Sequence, residues 1–231
     1  MSRSQNNRRH LIVLANSRSP ISESYRSLRT NIDFSSVDQV TQVIMATSAG
    51  PEEGKSTVVG NLAVTYAQDN RNVLLIDADM RKPTVHRTFQ LSNKSGLSSV
   101  LSRQSTLDEA IQKTEVPNLN VMTAGAIPPN PAEMLNSNSM SQVMSELRKQ
   151  FDVILIDTPP VLAVTDAQLL ASLSDGVLMV INTGKVKKEI ALKAKETLER
   201  VNARMLGVVL NNVKRKAGEE YYYYYYASSD N

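Results

Sequence analysis

The chain has 231 residues, 41% of them hydrophobic and none of them cysteine, with a formal net charge of +3 at neutral pH. That length suits the core of one sizeable domain, the missing cysteines exclude disulfides and thiolate metal sites, and His10 and His86 are too few for a histidine-rich site. No apolar run reaches the roughly 20 residues of a membrane helix, the polar start lacks a signal-peptide core, and no basic stripe marks a nucleic-acid surface, so a cytoplasmic protein without nucleic-acid partners is expected.

Residues 1–20 are polar, carry Arg3, Arg8, Arg9 and Arg18, and close on Pro20, so a flexible arm with little fixed structure is expected there. From Ser22, SESYRSLRTNIDF opens on a capping-type serine and places Tyr25, Leu28 and Ile32 at helical spacing, which predicts an amphipathic helix within 21–35. Glu23, Arg26 and Arg29 recur along it every third residue, as a solvated charged face or as contacts to another subunit. Apolar, β-branched runs then alternate with helical patterns: strands are predicted at 42–47, 72–77, 119–123, 152–157, 177–181 and 206–210. Helices are expected at 55–68, 97–113, 132–149, 165–174 and 186–202. Short buried strands separated by helices mean an α/β fold: a mostly parallel, twisted sheet of about seven strands covered on both faces, filling 21–212. Residues 213–231, with six adjacent tyrosines and no buriable face, read as a disordered tail.

The segment AGPEEGKST stands between a predicted strand and a predicted helix, the context that a phosphate-binding loop requires. Backbone N–H groups from Gly50, Pro51, Glu52, Glu53 and Gly54 onward, proline excepted, would cradle phosphates at the helix N-terminus. Lys55 would reach the outer phosphates, Ser56 would coordinate Mg²⁺, and Thr57 would add an inner contact. Ala49 holds the usual first-glycine position, and Glu52 and Glu53 put carboxylates beside an anion site, so both are expected to point outward.

Ligands of open α/β sheets sit beyond the carboxyl ends of the strands, and two strands here end in aspartate: VLLIDAD with Asp77 and Asp79, and VILIDTPP with Asp157. Asp77 and Asp79, two apart, would face one side of an extended segment, one orienting a nucleophile and the other holding metal-bound water. Asp157 is the expected Mg²⁺ ligand, acting through water. A lone aspartate after a strand is more often a cap; three beside a GKS predict phosphoryl transfer, with Lys55, Asp77 and Asp79 catalytic.

In order, SESYRSLRTNI, TSAGPEEGKST, VLLIDADMRKP, TAGAIPPNPAEML, VILIDTPP followed by TDAQ, LGVVLNN and the tyrosine run resemble the bacterial tyrosine kinases of capsular and exopolysaccharide systems. These are a branch of the deviant-Walker P-loop ATPases that also includes ParA and MinD, and the resemblance covers nearly the whole chain. It implies that Lys55, Ser56 and Thr57 are Walker A residues, Asp77 and Asp79 Walker A′, and Asp157 Walker B, with ATP or ADP and Mg²⁺ as cofactors. Asp77 becomes the candidate base toward tyrosine; Ser56, Asp79 and Asp157 become the metal set; and Asn211 or Asn212 reads adenine. Glu23, Arg26 and Arg29 map onto the E-x-x-R-x-x-R motif and imply a ring-shaped homo-oligomer, by resemblance an octamer. The implied partners are a transmembrane polysaccharide co-polymerase, or chain-length regulator, as activator, a cognate tyrosine phosphatase, and other tyrosine-phosphorylated proteins. The implied location is the inner face of the cell membrane, reached through that partner. One departure is Glu52, where the family has glycine; a positive φ there would cost glutamate roughly 1–2 kcal/mol.

The competing reading is a ParA/MinD-like dimerising switch without kinase activity. The tail separates the two: six of eight tyrosines are Tyr221, Tyr222, Tyr223, Tyr224, Tyr225 and Tyr226, leaving only Tyr25 and Tyr66 elsewhere. From Val213 to Tyr226 an extended tail reaches up to roughly 45 Å at about 3.3 Å per residue, enough to enter a neighbouring subunit's site. Autophosphorylation of these six in trans is therefore expected, and the resemblance implies that it is coupled to polysaccharide synthesis and export.

Overall fold

The computed structural model describes residues 11–35 and 41–213. The six tail tyrosines and the first ten residues lie outside that range. In chain order the elements are α1 (Ile12–Ala15), α2 (Pro20–Phe34), β1 (Val43–Ser48), α3 (Lys55–Gln68), β2 (Val73–Asp77) and α4 (Val85–Phe89). Next come α5 (Leu97–Leu101), α6 (Leu107–Ala110), β3 (Ile111–Lys113), β4 (Leu119–Met122), α7 (Pro131–Leu135) and α8 (Asn138–Gln150). The last five are β5 (Val153–Asp157), α9 (Asp166–Ala171), β6 (Gly176–Asn182), α10 (Lys188–Glu199) and β7 (Met205–Asn211).

The strands form one seven-stranded sheet in the order β3-β4-β2-β5-β1-β6-β7, parallel except for β3. Alternate residues of each strand feed opposite faces. Ile44, Leu75, Leu155 and Val121 pack with Val59, Leu62 and Tyr66 of α3 and with Ile32 of α2. Met45, Ile76, Ile156 and Met122 pack with Leu135, Met140, Leu147, Leu170 and Leu198 of the helices opposite. Burial on both faces is why the strands read as continuous apolar runs rather than alternating ones. The parallel register brings Asp77 alongside Asp157, so two acidic strand ends meet beside the loop that follows β1.

Four expectations are corrected. Residues 11–19 are not a structureless arm: Leu11 to Ala15 is apolar, α1 forms there, and buried Val13 donates its N–H to Asn61 Oδ1 of α3 at 3.1 Å. Helix α2 starts at Pro20 with Ser19 as its cap, because proline fixes φ at the first helical position and has no N–H to leave unpaired. The interval 97–113 is not one helix: Arg103 takes a φ of 59°, Thr106 and Glu109 form a capping box, and Ile111–Lys113 pairs antiparallel with β4. The interval 132–149 is likewise divided, because Ser137 caps a new helix by accepting from Met140 N–H at 3.2 Å.

Candidate active site

The loop after β1 is held in shape by its own residues. Ser48 Oγ donates to the Gly50 carbonyl at 2.7 Å, and Glu53 accepts Gly50 N–H on one carboxylate oxygen and Asn182 N–H on the other, the latter at 3.2 Å. Glu53 therefore does not point outward as the sequence led us to expect. It is buried, and its charge is met by two backbone donors, which tie the loop to the end of β6. Its neighbour Glu52 does point outward, its side chain 86% exposed and 3.4 Å from Lys185. Glu52 also has a φ of 60°, so the departure from glycine falls at a left-handed residue.

Gly54 has a φ of 92°, and a Cβ there would come within 2.1 Å of Asn211 Nδ2, so the residue opening α3 must be glycine on two counts. Asn211 itself donates from Nδ2 to the Glu53 carbonyl at 2.9 Å, which makes it a prop for the loop. Asn212 follows with a φ of 57° and an exposed side chain. Of the two candidate adenine readers, Asn211 already has a partner in the loop and Asn212 faces outward.

Lys55 gathers the charged groups. Its Nζ lies 3.2 Å from Asp79 Oδ2, 3.4 Å from Asp157 Oδ1 and 3.3 Å from Ser56 Oγ. Burial works against the ammonium, but the charges of Asp157, Asp79 and Asp77 outweigh it and raise its pKa. Asp157 is fully buried; burial pushes its carboxyl up, against the pull of Lys55 and Ser56.

β2 ends at Asp77, but Ala78 and Met80 still pack into the core cluster of Leu74 and Ile76, which leaves Asp77 and Asp79 on the side of Lys55. Asp79 turns to Lys55 and accepts Lys82 N–H at 3.0 Å. Asp77 accepts Thr84 and Val85 N–H, both at 3.0 Å, and Asp79 N–H at 3.2 Å. Burial first, then the charge of Asp157, pushes Asp77 up to about 7, against those amides and Lys55.

Asp157 Oδ2 is buried and has no hydrogen-bond partner among the described residues. An unpaired carboxylate oxygen beside Ser56 and below a phosphate loop fits a hard divalent cation, whose remaining ligands would be phosphate oxygens and water. Such an ion would neutralise charge on the transferring phosphoryl group. A further pair escaped the sequence reading: Arg81 grips buried Asp166 with two bonds of 2.9 and 3.0 Å. The bond raises the Arg81 pKa and fixes the segment after β2 against α9. Its only trace in the sequence is an aspartate in the apolar stretch after Thr165.

The residues expected at a subunit interface are engaged within the chain. Arg26 pairs with Glu23 and donates to the Ser17 carbonyl at 2.7 Å, while Arg29 lies 3.2 Å from Asp69. No helix among the described residues is long and apolar enough to cross a membrane.

A family model described as an AAA domain matches residues 41–207. Tyrosine-protein kinase YwqD of Bacillus subtilis (strain 168) is 48% identical over 206 residues, covering 89% of this chain and 87% of the relative. Putative tyrosine-protein kinase CapB of Staphylococcus aureus is 43% identical over 196 residues, covering 85% and 86%. Among solved structures, the chimerical protein CapA2B2 superposes with a TM-score of 0.87 at 44% identity, covering 89% of this chain and 90% of that one. The kinase domain of Escherichia coli tyrosine kinase ETK does so at 0.84 with 30% identity, covering 90% and 83%. MinD from Pyrococcus horikoshii OT3, complexed with Mg-ADP, has a TM-score of 0.66 at 24% identity, covering 77% and 72%, a likeness of fold alone. The chain belongs to the AAA-domain family and, within it, to the bacterial tyrosine-protein kinases.

Proposed function

We propose that this kinase uses Mg·ATP to phosphorylate the tyrosines Tyr221 to Tyr226 of a neighbouring copy's tail, within a homo-oligomer built through Glu23, Arg26 and Arg29. One observation carries the choice of substrate. Of the two tyrosines in the described residues, Tyr66 is 1% exposed with its hydroxyl facing Asp33 and Arg71 over its ring, and Tyr25 is partly buried, which pushes its phenol up to about 12. Neither phenol loses its proton easily, which favours the tail.

In the proposed reaction the loop amides from Glu52 to Thr57 would hold the phosphates, Lys55 would leave its carboxylate partners for the outer phosphates, and Ser56, Asp79 and Asp157 would hold Mg²⁺ directly or through water. Asp77 would take the phenolic proton as the oxygen attacks the γ-phosphorus and the bond from that phosphorus to the departing ADP oxygen breaks, and Asn212 would contact adenine. The cytoplasmic end of a transmembrane polysaccharide co-polymerase activates the kinase and keeps it at the membrane, and a tyrosine phosphatase resets the tail. The cycle governs capsule or exopolysaccharide synthesis, as the resemblance of the motifs implies.

The test is intact-mass analysis after incubation with Mg·ATP, with and without an activator segment, of wild type, Lys55→Met and a chain ending at Glu220. Up to six phosphate steps, lost in both variants, are expected. ATP hydrolysis with no gain in mass would replace this reading with a nucleotide-driven switch of the MinD kind, whose fold the chain shares.

A further inference from the structure

Beside the acidic strand ends a groove of about 490 Å³ opens between the segment after β2 and the loop after β4, lined by Arg81, Lys82, His86, Arg87, Gly125 and Ile127 among others. Its floor is the same backbone that positions the carboxylates: Lys82 N–H binds Asp79 and Thr84 N–H binds Asp77. Whatever occupies the groove therefore lies within a few residues' length of the reacting centre.

The chemistry of the lining is one-sided. Arg81 is committed to Asp166, but Lys82 and Arg87 are exposed and form no ion pair among the described residues. His86 is half-buried between them, its Nδ1 without a hydrogen-bond partner, and Ile127, 64% exposed, forms an apolar rim. Two unpaired cations with an apolar edge suit an anionic peptide rich in aromatic side chains.

The sequence contains such a peptide. Glu219 and Glu220 stand directly before Tyr221, while the residues before them, Lys214, Arg215 and Lys216, have the opposite charge. Six identical tyrosines cannot specify their own register. A carboxylate pair at one end can, because only one end of the run then fits a cationic groove. At about 3.3 Å per residue, docking that pair sets Tyr221 to Tyr223 roughly 3–10 Å farther along the chain.

Taking the tail as substrate, as proposed above, we propose that Lys82 and Arg87 dock Glu219 and Glu220 of a second copy's tail and so decide which tyrosines enter the active site first. The docking is electrostatic, so it weakens with salt.

A fluorescein-labelled peptide of residues 217–226, titrated with the full-length chain at low salt and followed by anisotropy, tests this. The Kd is expected to weaken about tenfold with Arg87→Glu, and equally with E219Q and E220Q in the peptide. The two changes together should add little, as for groups that contact each other. A peptide carrying E219R and E220R should bind Arg87→Glu more tightly than wild type. In the full-length chain, Glu219→Gln with Glu220→Gln should scatter the first phosphate over all six tyrosines, read by fragment mass. An unchanged Kd for either the glutamine peptide or Arg87→Glu overturns the proposal. Binding is read without phosphoryl transfer, so a chain that holds the peptide through Arg87 but never gains phosphate refutes the tail as substrate and leaves the groove standing.

Discussion

Glu52 and Glu53 show how far one side chain's surroundings decide its meaning. Both are carboxylates in an anion-binding loop, yet Glu53 is satisfied by two backbone donors inside the protein and Glu52 faces water on a left-handed backbone. The exposed Glu52–Lys185 pair contributes little, since such pairs are worth about 0–1 kcal/mol. Glu52→Gly should therefore relieve about 1 kcal/mol of backbone strain and raise Tm by about 2–4 °C in thermal unfolding. It should also tighten nucleotide binding by removing an anion. Glu53→Ala should do the reverse, unpairing two amides and loosening the loop. The adjacent asparagines separate in the same way: Asn211→Ala should weaken all nucleotides alike through the loop it supports, whereas Asn212→Ala should lower the preference for ATP over GTP. Competition binding with the two nucleotides distinguishes them. For Asp77, only the ionised carboxylate accepts a proton, so kcat/KM for tail phosphorylation should rise with pH through about 7. A profile flat from pH 6 to 8 would remove Asp77 from the role of base.

At the scale of elements, the charged groups that join strand starts are as informative as those at strand ends. Asp175, just before β6, accepts Gln42 N–H at 2.9 Å and Val43 N–H at 2.7 Å at the start of β1, and Arg148 of α8 grips it at 2.7 and 2.9 Å. Burial opposes its ionised form, but Arg148 and the two amides prevail and hold its pKa below the usual carboxylate range. A depressed pKa means stability present above the unfolded value of about 3.9 and lost as pH falls through the folded one. Asp175→Asn should thus cost about 1–3 kcal/mol in urea unfolding at pH 7, and less at pH 3. None of this was legible beforehand, because a partner 27 residues away leaves no periodic trace. What was legible had local causes: six strands announced themselves as short apolar runs, five of them buried on both faces and β7 half-exposed at the sheet edge, and the phosphate loop as glycine and lysine at a strand-helix junction. Strand β3 was missed because three residues carry no period, and α1 because a terminal apolar patch gains its partner only when α3 has formed.

For the whole molecule, net charge sets the terms on which copies of the chain meet. The formal charge is +3, and six phosphotyrosines would add about −9 to −12 at about −1.5 to −2 each, leaving every chain about −6 to −9. Two forces then compete. Lys82 and Arg87 attract a phosphorylated tail, but they supply only two unpaired cations against several times as much new negative charge. Repulsion between chains grows with the product of their charges and acts at every interface at once. Repulsion should therefore win, so that phosphorylation takes the oligomer apart. Salt decides the matter, because it screens surface charges beyond about 10 Å at 0.1 M and hardly alters apolar contacts. Sedimentation of phosphorylated protein should give a smaller mass than unmodified protein at low salt, and added salt should restore the larger one. If salt instead released tails from a phosphorylated assembly that was intact at low salt, the groove's attraction would have been the stronger force, and disassembly would need a cause other than charge.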